Sequence, residues 1–482
     1  MPDRRASLQV EPALALSAFL LAAAPSSAQT PALQVTPVHY ELTAALDFRD
    51  DTLHGTARIT VENNSSSPAR EIPLVLYRLM EVRSARSGDG DSLAFTQRIV
   101  RDPDLSALQL NEVRLALGSP LAQGARTTIA VQYGGFLLGY AETGMGYIRD
   151  RIDPAFTILR NDAWAFPLVM YASLASLRSS ALPSFDYVAR ITVPDTLVVA
   201  NGGRLVERTV RNGEATYVYR SIKPSWRMDF AIGNYRQLQA GPVRILYLRS
   251  DSAGAARVAT TVQRSLELFR SWFGPLPGDP ALTILELEDG FGSQTDVTTI
   301  IQAAASFRDS TRNFEIYHEV SHLWNPPETD NPGPRWNEGL AEFLQYLAVE
   351  RLDGGQMVEP RATRLLQWLK AHAADNPKWQ QVPLVDYGRA QMTDLSYRMG
   401  GLFFYLLYHR VGAEAFNRIV GGFCRQYAGT GASTRDFVRY AEGHSPADLR
   451  PMFQDWFLTT NWVASVRAAE TPQDLIRRYG GK

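Results

Sequence analysis

The chain has a single cysteine, Cys424, among its 482 residues, so no disulfide can form within it. Its stability must come from packing and from any metal it holds. An excess of one charge is also missing. With 49 Lys and Arg against 50 Asp and Glu, no global field draws the protein to nucleic acid or to an anionic membrane. Beyond residue 30 there is no uncharged apolar run long enough to span about 30 Å of hydrocarbon, so no integral membrane partner is implied. Internal repeats, heptads and low-complexity tracts are absent. Histidine is scarce, seven in the whole chain, which makes a close pair of them informative.

What is there is apolar material, 45% of the residues, enough for two or three packed domains. Residues 1–28 stand apart: Arg4 and Arg5, then ALALSAFLLAAA, then small residues ending at Ala28. This pattern is expected to be a secretory signal peptide, which places the mature protein outside the cytoplasm, secreted or periplasmic. An uncleaved anchor is the alternative. Cys424, inside the apolar helical run FNRIVGGFCRQY, reads as a small buried hydrophobe and not as a nucleophile.

From Val35 to Leu238 short alternating segments such as YELTAALDF, TARITVEN, TTIAVQYGG and YVARITVP are separated by Gly, Asn, Asp and Pro. They predict an all-β domain over 31–239. Between Pro154 and Ser184 the alternation is lost in AWAFPLVMYASLASL, expected to be an interface or an irregular excursion. The strand GPVRILYL opens the second half, and ARVATTVQRSLELFRSWF switches to helical periodicity. Two further strands around the turn DGFGS, then helices, predict an α+β domain over 240–482.

The candidate chemistry lies in NFEIYHEVSHLW. On a helix, residues four apart differ by about 40° around the axis, so His318 and His322 project from one face and can reach one ion. Glu319, offset by about 100°, is placed to hold a water beside the ion instead of ligating it. A polar helix face is the bland reading. Catalytic zinc usually takes three protein ligands. The gap LWNPPETDNPGPRWN, with four prolines and a glycine, turns the chain out of one helix and into another, whose first turn carries Glu338 as the third donor. Glu342, one turn further on the same face, either accepts an imidazole N–H or is a surface glutamate.

HEVSH followed by NEGLAEF resembles the M1 family of zinc aminopeptidases, gluzincins that include leukotriene A4 hydrolase. PVHYELTAALDFRDDTLHGTARITVEN is similar to the start of that family's β saddle. LELFRSWFGPLP and FQDWFLTTNW are similar to the entry and the end of its thermolysin-like catalytic domain. The resemblance implies one Zn²⁺ on His318, His322 and Glu338, with Glu319 as general base. SYRMGGLFFYLLYHRVGAEAF resembles the segment whose tyrosine meets the developing oxyanion, which points to Tyr397. Three departures accompany it. The spacing from His322 to Glu338 is shorter than usual, and the large C-terminal helical domain of many members is missing. The Gly-x-Met-Glu-Asn loop that recognises the α-amine falls near GFGSQTD, without its Met and Glu, leaving Gly292, Ser293, Gln294 and Asp296 as candidate substrate contacts. The nearest acids are Glu288, Asp289 and Asp296; if one of them takes the place of the missing carboxylate, Asp296 is the expected amine anchor.

The function implied is hydrolysis of peptide bonds in a peptide or protein substrate, as an aminopeptidase. One alternative is a zinc peptidase that needs no free amino terminus, similar to the M61 glycyl aminopeptidases, which HLWN resembles. The other is a non-catalytic protein that keeps zinc for structure.

Overall fold

The computed structural model describes residues 33–102, 105–143, 145–173, 182–276 and 281–480. The expected signal peptide lies outside the described residues.

The N-terminal half is all β. One seven-stranded sheet runs, in spatial order, through Arg204–Arg211, Glu214–Arg220, Asp186–Pro194, Val35–Asp47, Thr52–Asn63, Arg126–Phe136 and Met80–Ser87. Its pairs are antiparallel except Val35–Asp47 with Asp186–Pro194. A four-stranded sheet holds Phe95–Arg101, Gln109–Leu121, Ala69–Tyr77 and Leu168–Val169, and a three-stranded sheet holds Val198–Ala200, Asp229–Gly233 and Phe156–Arg160. The alternation read along Val35–Asp47 is that of a strand with one buried face: Tyr40, Leu42 and Ala44 face the core while Glu41, Thr43 and Ala45 face solvent.

The segment predicted to be an excursion is instead core at its start. Trp164, Phe166, Leu168, Val169 and Met170 are all buried, and Leu168–Val169 adds a short strand to Ala69–Tyr77. A strand buried on both faces loses the period-2 signal, so the sequence does not mark it as one.

The second half opens on a five-stranded sheet in the order Tyr235–Ala240, Val243–Leu248, Leu282–Leu287, Thr299–Ala303 and Gln294–Thr295, whose last strand runs antiparallel to its neighbour. Helix α1 (Ser252–Phe273) packs against it, followed by α2 (Asn313–Ser321), α3 (Trp336–Leu352), α4 (Val358–Ala373), α5 (Leu395–Val411), α6 (Ala413–Tyr427), α7 (Thr434–His444) and shorter helices to Arg478. An all-β domain is thus followed by an α+β domain, as the sequence implied. No helix among the described residues is long and apolar enough to cross a membrane.

Two contacts in the helical layer place the site. Gly339 in α3 and Gly400 in α5 meet backbone to backbone, and a Cβ on Gly339 would lie 2.5 Å from the Gly400 Cα. Only glycine allows this approach. Trp336, at the start of α3, stacks on Phe437 of α7 with ring centres 4.2 Å apart, which fixes where that helix begins.

Candidate metal centre

His318 lies in the last turns of α2, and His322 opens the 3₁₀ turn that continues it, with φ −61° and ψ −20°. The backbone stays right-handed across the junction, so both rings keep to one face. The proline-rich connection then returns the chain, and Glu338 enters from the first turn of α3. Its Oε2 lies 3.3 Å from His318 Nε2 and 3.3 Å from His322 Nε2. The three donor atoms fall within 4.8 Å of one another.

This spacing fits zinc. Tetrahedral angles on bonds of about 2.05 Å put neighbouring donors roughly 3.3 Å apart, and two imidazole nitrogens with one carboxylate are a zinc donor set that leaves a fourth position open. His322 is oriented by Asn325, whose side-chain amide meets its Nδ1 at 2.9 Å. The atom at that distance is the amide nitrogen Nδ2; with Nε2 turned to an ion Nδ1 carries the proton, and the Asn325 amide accepts it through Oδ1 only when flipped end for end.

Electrostatics keep Glu338 ionised. Burial pushes its carboxyl up, but Arg335 and both imidazoles outweigh burial and hold it well below the usual carboxylate range. Burial pulls the His318 imidazole down, and the carboxylates of Glu338, Glu319 and Glu342 push it up to about 9. Protons therefore compete with a metal for His318, so metal affinity falls with falling pH.

Glu319 is buried and does not belong to the donor cluster. Its Oε2 lies 2.7 Å from the Thr295 hydroxyl, which is also 2.8 Å from the Glu319 backbone carbonyl. Burial raises its pKa against the pull of His318 and His322. Tyr397, in the first turn of α5, lies with its ring parallel to His318 at 6.1 Å between centres. The Gly339–Gly400 crossing brings it there, one turn ahead of Gly400.

The remaining sequence candidates go elsewhere. Glu342 accepts from Gln345 Nε2 at 2.6 Å and pairs with Arg361, so its hydrogen bonds run towards α4 and it acts on His318 through charge alone. Alternation along Gln294–Asp296 sends Thr295 to Glu319 and its two neighbours to the β domain. Gln294 meets Asp162 and Arg227, and Asp296 accepts from Ser225 Oγ at 2.7 Å. The expected amine anchor is therefore turned away from the general base, and Thr295, passed over in the sequence, is the residue of that loop that reaches it. Ser293 Oγ accepts from Gln302 and from the Ala303 N–H, a structural tie, and Gly292 is exposed with open space where a side chain would stand. Sequence reasoning also missed Asn325 and Arg335. Asn325 had a signal, since it follows His322 by three residues on the same helical face.

Most of the chain has solved counterparts. An M1 zinc metallopeptidase from Deinococcus radiodurans superposes with a TM-score of 0.61 at 18% identity, over 91% of this chain and 94% of that one. A mutant M1 zinc metallopeptidase from the same organism, bound to a Tyr-Ser-Ala substrate, gives a TM-score of 0.63 at 19% identity, over 88% and 94%. The chain has the fold of the two-domain M1 zinc metallopeptidases. Among curated proteins it is similar to Aminopeptidase M1-B and Aminopeptidase M1-A of Oryza sativa subsp. japonica, 23% and 24% identical over 303 residues, 57% of this chain. The match spans 34% of the length of each relative. No family model matches the chain.

Proposed function

We propose that the chain is a zinc-dependent peptidase of the M1 type, acting as an aminopeptidase. The observation that carries this is the convergence of His318, His322 and Glu338 at zinc-like spacing, with Glu319 beside them and outside the donor set. Zinc, when bound there, supplies Lewis acidity to a water and to the scissile carbonyl. Glu319 accepts the proton of the attacking water and passes it to the leaving amine nitrogen. Tyr397 donates a hydrogen bond to the carbonyl oxygen as charge builds on it. The substrate-bound counterpart, with its tripeptide, supports a peptide as substrate. A purely structural zinc normally has four protein ligands, which argues against the non-catalytic reading.

A second reading, a peptidase that does not need a free amino terminus, is favoured by the amine end of the site. Thr295 carries no charge, Asp162 is paired with Arg227, and Asp296, which accepts from Ser225 through Oδ2, is turned to the β domain. Burying an ammonium without a free carboxylate costs several kcal/mol, roughly two orders of magnitude in selectivity. The test is kcat/KM on matched free and acetylated peptides. A preference for the free amine above about 100-fold establishes the aminopeptidase, and a smaller one the second reading. Asp296→Asn is expected to change that ratio by less than about 3-fold, because Asp296 faces the β domain. A collapse of the ratio would show that Asp296 reaches the substrate.

Export belongs to the same proposal and rests on residues 1–28 alone. The exported chain is expected to begin near Gln29. Mass spectrometry of that form checks it, and a retained Met1–Ala28 segment would favour an anchored protein.

A further inference from the structure

Arg335 has no counterpart among the groups that the reaction needs, yet it sits in the middle of them. It is the residue just before α3, held at φ +58° and ψ +37°, a left-handed conformation that a side-chain-bearing residue adopts only where its surroundings impose it. Ser396 Oγ of α5 donates to the Pro334 carbonyl at 2.6 Å, which ties the end of the connecting loop to the helix bearing Tyr397. The backbone is thus pinned where it turns the Arg335 side chain inward.

There the guanidinium makes two contacts through one nitrogen. Nη2 bonds Glu338 Oε1, the carboxylate oxygen that does not face the imidazoles, and lies 3.4 Å from the Tyr397 hydroxyl. Its carbon stands 5.8 Å from the centre of the Tyr397 ring. Glu338 Oε1 and the phenol oxygen thus share one guanidinium nitrogen.

The directions of these hydrogen bonds decide the consequence. A guanidinium only donates, so towards Arg335 the phenol oxygen is an acceptor. A carboxylate only accepts, so Tyr397 can meet Glu338 only by giving up its one O–H, the same proton that an oxyanion in the cleft needs. Glu338 Oε2 is turned to the imidazoles. Oε1 is the oxygen that shares Arg335 Nη2 with the phenol, so the cation is the common donor to both.

We infer that Arg335 is a positioning residue: by satisfying Glu338 Oε1 and donating to the phenol oxygen, it keeps the Tyr397 O–H free to point at the developing oxyanion. In its absence the phenol turns to Glu338, and the donor is quenched by the metal's own ligand. The inference rests on the peptidase reading and adds a residue to it.

A double-mutant cycle on the zinc-loaded protein tests it. Arg335→Gln is expected to lower kcat by about 10-fold or more with KM little changed, part of the 10²–10³-fold that one oxyanion donor supplies. Arg335→Lys, which still donates to Glu338, is expected to recover part of the loss. In a Tyr397→Phe background, Arg335→Gln is expected to cost less than about 3-fold, since the group it acts through is gone. Binding of a tetrahedral phosphinic peptide, measured by calorimetry, is expected to follow the same cycle without turnover. Zinc content and melting temperature are read for every variant. Losses that multiply in the double mutant overturn the inference, and so does zinc lost in Arg335→Gln, which would make Arg335 a support of Glu338 alone. A zinc-loaded wild type that cleaves no peptide overturns the peptidase reading itself, a result distinct from either.

Discussion

Replacing Glu319 by Gln is expected to lower kcat by about 10³-fold or more while zinc content stays at that of the wild type. Glu319 is buried beside the donor cluster without belonging to it, so the metal does not depend on it. Among the described residues its carboxylate has one side-chain hydrogen-bond partner, the Thr295 hydroxyl at 2.7 Å. An amide of the same shape keeps that contact in either orientation, its NH₂ donating to the hydroxyl or its oxygen accepting from it. The side chain therefore stays in place, and what disappears is the ability to take a proton from water. A carboxylate whose pKa burial has raised is a better proton acceptor than a free glutamate, which is why the loss falls in the upper part of the range for general bases. Steady-state kinetics on a peptide substrate, with elemental analysis of the same preparation, check it. A variant that retains a tenth of the activity would remove Glu319 from the reaction.

The centre of this site was legible in the sequence because its geometry is local. Four-residue spacing puts His318 and His322 on one face whatever surrounds them, and four prolines in the following gap leave few ways for the chain to return. Glu338 was found because a third ligand was needed and a helix start supplied it. The periphery was not legible, since it depends on contacts between elements far apart in the chain. Glu342 has the right spacing to face the histidines, yet Arg361 draws its carboxylate towards α4. Asp296 is an acid next to the right loop, and strand alternation decides against it, because Thr295 and Asp296 cannot face the same way. The fold followed the same division. Half-buried strands such as Val35–Asp47 announce themselves by alternation, while Trp164 to Met170, apolar on every side, carries no period to read.

Glycine shows how much of the site is tertiary. Nothing in NEGLAEF or SYRMGGLFF says that Gly339 and Gly400 meet, and yet that contact sets the distance between α3 and α5. Glu338 precedes Gly339 and Tyr397 lies three residues before Gly400, so ligand and phenol are carried to one another by a contact that belongs to neither. Arg335 is placed in the same way, through Ser396 and the Pro334 carbonyl. Glu338, Tyr397 and Arg335 are thus brought together at one helix crossing.

The second large effect expected is on the metal itself: His322→Ala should lower zinc affinity by more than about 100-fold, the upper end of what loss of a mere supporting hydrogen bond costs. The donor set has no reserve. Glu338 offers Oε2 only, because Oε1 is committed to Arg335, and Glu319 is held by Thr295. Removing His322 therefore leaves one imidazole and one carboxylate oxygen, too few for a closed site. The fold is expected to survive, since Glu338 keeps Arg335 as its counter-charge. Two measurements separate metal loss from misfolding. Elemental analysis after dialysis gives about one zinc per wild-type chain and almost none in the variant. Melting curves with added zinc give the second, because ligand at about 100 times its Kd stabilises the native state by about 2.7 kcal/mol, a shift that the variant should lack while its zinc-free melting temperature stays near that of the wild type. One zinc per chain still held by His322→Ala would place the metal elsewhere, and the catalytic reading of Glu319 and Tyr397 would fall with it.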